Sequence, residues 1–134
     1  YYYSLMSIEI CVVRSVSKEV NSIKEKLAKD KNRSVFTLGE AEVEYIQSRG
    51  IDILRLHATD FIQKRIAPAE PKNDGHQTPT KGHPVFIAQH ACGCNDRDSV
   101  ETFFSLKKGK ELTEKQVHLI VDVLISWMND QLDQ

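Results

Sequence analysis

The chain has 134 residues, an apolar fraction of 40% and a formal net charge of -1, which suits one soluble domain and argues against a generic polyanion binder while leaving room for a local basic patch. A chain of this length buries about two-thirds of its unfolded surface and needs neither metal nor disulfide merely to fold. No apolar run approaches the roughly 20 residues of a membrane span, Ile8–Val13 is too short for a signal-peptide core, and three cysteines, two of them spaced Cys-x-Cys, point to a reduced, cytoplasmic setting.

Tyr1 to Leu5 look vector-derived ahead of Met6, so residues 6–134 are expected to form the domain. Ser7–Val13 alternates loosely and fits either a short strand or the first turns of a helix that continues through Val20, Ile23 and Leu27. The charged run Lys29–Arg33 ends it. Thr37 and Glu40 have capping-box spacing and open a helix with Val43, Tyr45 and Ile46 on its apolar side, stopped by Gly50. Asp52 is then expected to cap a helix carrying Leu54, Ala58, Phe61 and Ile62, with His57 on or beside that stripe, ending before Pro68.

Ala67–His83 has almost no secondary-structure potential, and loops of this length in a compact chain are usually functional or disordered. Pro84 suits a first helical turn, but the run VFIAQHA is equally a buried strand by length. Asp98 and Glu101 suggest a short helix through Phe104. Lys107–Lys110 reads as a turn. Thr113 and Gln116 form a second capping box, with Leu112 stapled to Val117, and open the final helix through Val121, Leu124, Trp127 and Met128. The fold class is therefore mainly α: a compact, helix-rich single domain with a long Pro/Gly-containing loop and at most a small β element. The helices starting near Thr37 and Asp52 and the last helix should form the core against Pro84–Ala88.

The chemistry concentrates in and after the loop, where His76, His83, His90, Cys92 and Cys94 follow closely. Thiolate and neutral imidazole are zinc ligands, and on a helix His83, His90 and Cys94 return to one side because seven and four residues are near-integral turns. His83, His90, Cys92 and Cys94 are thus the candidate metal set, with His76 able to fold in from the loop. The competing reading makes both cysteines small buried residues. A nucleophilic thiol needs a base and a group to orient it; Cys92 or Cys94 with His83 or His90, oriented by Asp74 or Gln89, has the right residue types. His83, His90 and Asp74 are accordingly the catalytic candidates for a hydrolase or transferase, although Asn73-Asp74-Gly75 is also a plain turn signal. Gln77-Thr78-Pro79 and Thr80-Lys81-Gly82 can offer backbone amides to a ligand. Lys64, Arg65, Lys72, Lys81, Arg97, Lys107, Lys108 and Lys110 surround the region and, brought together, can contact phosphates; no aromatic platform for a single strand accompanies them in the sequence. His57 and His118 read as partly buried structural residues and Trp127 as a core anchor.

The stretches LGEAEVEYIQSRG, HATDFIQKRIAPAEPKNDGHQTP, GHPVFIAQHA, and KGKELTEKQ followed by VDVLISWM resemble the small bacterial and phage proteins of domain-of-unknown-function family 4186, over roughly Ser34–Met128. The resemblance implies that Asn73, Asp74, Gln77, Thr78, His83, Pro84, Gln89 and His90 belong to a shared feature, with Asn73, Asp74, Gln77, Thr78 and Gln89 as candidate ligand-binding residues. It also implies a Cys-Cys-x-x-Cys cluster and a Trp-His pair where this chain has Asn95-Asp96, Ser99 and Phe103-Phe104. Together these readings predict a binding module with a His/Cys-lined pocket able to hold zinc, directed at nucleic acid or a protein partner. A small enzyme and a purely structural interaction protein are the alternatives.

Overall fold

A computed structural model describes residues 18–133. Among the described residues there are seven helices and no strand. They are α1 (18–28), α2 (Lys31–Ser34), α3 (Glu40–Arg49), α4 (Ile51–Arg65), α5 (Pro84–Ala91), α6 (Arg97–Phe104) and α7 (Glu114–Leu132). The short strand or helix start considered for Ser7–Val13 lies outside the described residues.

Helix α5 resolves the ambiguity of the PVFIAQHA run. Pro84, Val85, Ile87, Ala88, Gln89 and Ala91 are all buried, and a helix that is apolar nearly all round belongs inside a protein. It packs against α2, α3, α4 and α7. Around it, α4 buries Leu54, Ala58 and Ile62 at intervals of four, while α7 buries Val117, Ile120, Val121, Leu124 and Met128. Their mutual contact is the most extensive between helices among the described residues. The expected core thus forms, with α1 adding Val20 and Leu27.

Cap chemistry sets the element boundaries. The Thr113–Gln116 capping box is present in both directions, and Leu112 and Val117 are both buried beside it. Asp30 holds the single turn of α2 by accepting from Asn32 and Arg33 amides. Three expected starts are displaced by a few residues. Helix α3 begins at Glu40, with Gly39 rather than Thr37 at its cap. Helix α4 begins at Ile51, directly after Gly50, so Asp52 lies inside the first turn. Asp96, not Asp98, caps α6 through the Ser99 amide. In each case the cap residue has an extended backbone or a positive φ, the non-helical conformation that precedes a first helical turn.

Buried Arg97 joins the two main loops. It is 1% exposed. Its guanidinium donates to the carbonyls of Ile66, Ala67 and Pro68 at 3.2, 3.5 and 2.8 Å and to those of Lys107 and Lys110 at 2.9 and 2.8 Å. Arg97 therefore leaves the set of expected phosphate contacts: it is spent on main-chain oxygens that the loops would otherwise bury unpaired. Burial lowers its pKa, opposed by the charges of Asp74 and Glu101.

Candidate functional site

Cys92 and Cys94 are fully buried in the core, where desolvation raises both thiol pKa values and keeps the groups protonated. Their spacing has a helix-stop origin. Gly93 sits at φ 65° just after α5, the Cys94 amide donates to Gln89 O at 2.9 Å, and the Gly93 amide donates to His90 O at 3.5 Å. That pair of bonds is a Schellman motif, which favours glycine at the left-handed position with an apolar residue after it. A Cβ on Gly93 would also stand 2.4 Å from the Phe103 ring.

His83 and His90 do return to the same side of α5, but two turns apart, which is about 10 Å along the axis. Each has its own partners. His90 Nε2 faces the carbonyl of Thr78 at 3.0 Å and so carries the proton, and its ring stacks on Phe36. His83 is the N-cap of α5: its Nδ1 accepts from the Val85 amide at 3.1 Å, so the neutral ring is protonated at Nε2, which lies 3.2 Å from His57 Nδ1. A metal at His83 Nε2 would have to displace that proton onto a nitrogen already facing a donor, so the arrangement does not suit a ligand. Among the described residues, no three His, Cys, Asp or Glu side chains are grouped to hold a metal. The donor set His83, His90, Cys92 and Cys94 is therefore not brought together, because helix rise and core burial separate its members.

Asp74, Gln77, Thr78, Gln89 and His90 form a structural network of two hydrogen-bonded groups joined through the chain at Gln77–Thr78. Asp74 accepts from the Arg97 amide at 3.2 Å and from Gln77 Nε2 at 3.1 Å. Gln77 also accepts from the Gly75 amide and donates to Arg65 O. Buried Thr78 donates to Asn95 O at 2.8 Å, and Gln89 Nε2 donates to Cys94 O and Thr78 Oγ1. Asn73, at φ 55°, turns the chain into this network, and His76 is exposed. The network pins the long loop to the end of α5 and the start of α6. Asp74 makes no hydrogen bond to His83 or His90 among the described residues, so the acid/base pairing of the enzyme reading is not assembled there. Asn95 and Ser99, at positions where the resemblance implies cysteines, hold the Arg33 guanidinium at 2.6 and 2.7 Å, with the Phe103 ring 5.4 Å from it.

A different cluster does converge. His83 is the hub of four rings: Tyr45, His57, Phe61 and Phe86 have centroids 5.3, 5.2, 5.2 and 5.6 Å from it. All five residues are only partly buried. Arginines cap both ends. Arg49 lies 5.2 Å from the Tyr45 ring, and Arg65 lies 5.2 Å from both Phe61 and Phe86. Neither has an ion-pair partner among the described residues. Burial, and secondarily His57, pushes the His83 pKa down to about 4, so the hub is neutral at pH 7. On α4, Ile53 and Leu56 are exposed at 40% and 65%. His118, expected to be partly buried, is exposed, whereas Trp127 packs against the core as expected.

These residues carried a weak sequence signal. Tyr45/Arg49 and His57/Phe61/Arg65 are i,i+4 series, and His83/Phe86 is an i,i+3 pair. Nothing in the sequence brings the three series together.

The model of the domain of unknown function DUF4186 matches residues 21–129. The chain belongs to that family. No solved structure matches the chain. Within this DUF4186 protein, the helices carrying the ring cluster all lie inside the matched span. Among the described residues, no helix is long and apolar enough to cross a membrane.

Proposed function

We propose that this protein is a binding module for single-stranded nucleic acid, with the ring cluster around His83 as its stacking platform. The observation that carries the reading is the pair of arginines, Arg49 and Arg65, each laid on a partly exposed ring with no ion-pair partner among the described residues. Aromatic faces stack bases regardless of sequence, and arginine planes extend the stack while neutralising phosphate. The neutral His83 hub suits this role, since an uncharged ring can be covered by a base without stranding a buried charge. The zinc pocket of the sequence reading plays no part in it.

Fluorescence anisotropy with an internally labelled, unstructured oligonucleotide tests the proposal. Binding is expected at low salt, weakening as salt rises. Arg65→Gln and Phe86→Ala should each weaken it, the latter by about 1–3 kcal/mol per lost base stack. Absence of binding at low salt, or full binding by both folded variants, would refute the reading.

A further inference from the structure

The ring cluster is flanked unevenly. Beyond Tyr45, a small opening is lined by Glu42, Gly82 and His83; Arg49 lies over the Tyr45 ring but is not among the lining residues, which hold one carboxylate and no arginine or lysine. Beyond Phe61 and Phe86, Arg65 forms part of the wall of a cleft of about 750 Å³ that also includes Lys64, Lys72, His76 and Glu70. That wall has three cations against one carboxylate. Lys64 is partly engaged by Asp60 at 3.0 Å, in an exposed i,i+4 pair that contributes little. One side of the cleft is held by Gln77, which donates to Arg65 O at 3.4 Å, and by Asp74, which accepts from the Arg97 amide at 3.2 Å. A concave site of this size takes a nucleotide-sized group. Arg65 belongs to both features, so a base stacked over the Arg65 plane has its attached phosphate near the cleft that Arg65 also lines.

We infer that this cleft binds a terminal phosphomonoester of the strand whose bases stack on the ring cluster. The inference rests on the nucleic-acid reading. A diester contributes one negative charge, whereas a monoester carries about 1.5 to 2 at neutral pH and three strong acceptor oxygens. The excess of cations in the cleft matches the second better than the first. The cleft also lies at one end of the ring cluster, beside Arg65.

The test uses one internally labelled oligonucleotide in three forms: 5′-phosphorylated, 3′-phosphorylated and hydroxyl at both ends. One phosphorylated form should bind about tenfold more tightly than the hydroxyl form, the gain of one charge-assisted contact set; whichever form it is identifies the end that is held. The double variant Lys64→Gln/Lys72→Gln should abolish that preference. Both positions are solvent-exposed, and circular dichroism checks that the variant is folded. Equal affinity for all three forms would overturn the inference and leave the stacking reading standing. A preference that survives the double variant would also overturn it. Failure of every form to bind would remove the stacking reading and this inference together.

Discussion

Arg97→Ala should unfold this domain more readily than any surface substitution. Three of the five carbonyl contacts of the guanidinium are short, at 2.8, 2.9 and 2.8 Å, and hydrogen bonds to a charged group are worth about 1.5–3 kcal/mol each. Their sum overstates the loss, because bonds made by one side chain are not additive and water can reach some freed carbonyls. A loss of about 3–5 kcal/mol is expected, the range for breaking a buried charged network. That is a large part of the roughly 5–15 kcal/mol that stabilises an ordinary domain. Arg97→Lys keeps the charge but offers three donors from one nitrogen in place of a planar fork. It should recover only part of the loss, since carbonyls from Ile66–Pro68 and from Lys107 and Lys110 cannot all be reached from one point. Urea unfolding followed by the fluorescence of Trp127, the single tryptophan, gives both values. A loss below about 1 kcal/mol for the alanine variant, on the usual denaturant extrapolation, would show that the loops do not depend on this residue.

Gly93→Ala should cost at least about 2 kcal/mol, combining positive-φ strain with a methyl driven into the Phe103 ring; an unchanged melting temperature would contradict the Schellman assignment. Cys92 and Cys94 should resist alkylation in the native protein and react after denaturation, with the labelled sites located by mass spectrometry; rapid native labelling would contradict their burial. His83 should titrate near pH 4 by NMR, well below an ordinary imidazole. Because the unfolded chain takes up this proton at higher pH than the folded one, the resulting stability is complete above about pH 6.5 and is lost as pH falls towards 4. The loss should be about 1–2 kcal/mol once the partial exposure of the ring is allowed for. A His83 pKa above 6 would undo this assignment and the neutral hub with it.

Much of the fold was legible in the chain itself. Capping chemistry marked α7, Pro84 marked the start of α5, and apolar spacing marked the buried faces of α4 and α7, because caps and amphipathic stripes are local and repeat with the period of the helix. The state of Val85–Ala91 was not legible, since its continuous apolarity records burial without recording period. The grouping of His83, His90, Cys92 and Cys94 followed proximity along the chain. In space, the cysteines flank a helix stop and the histidines lie at opposite ends of one helix. A Cys-Gly-Cys after a helical run could have been read as a Schellman cap, because glycine followed by a small apolar residue is what that motif selects. The ring cluster could not have been found the same way. Tyr45, Phe61 and Phe86 belong to three helices, and only the packing of α5 beside α3 and α4 sets their rings around His83. Sequence determined where helices start, stop and bury a face, through interactions a few residues long; tertiary packing decided which side chains share a surface, because that depends on contacts between segments far apart in the chain.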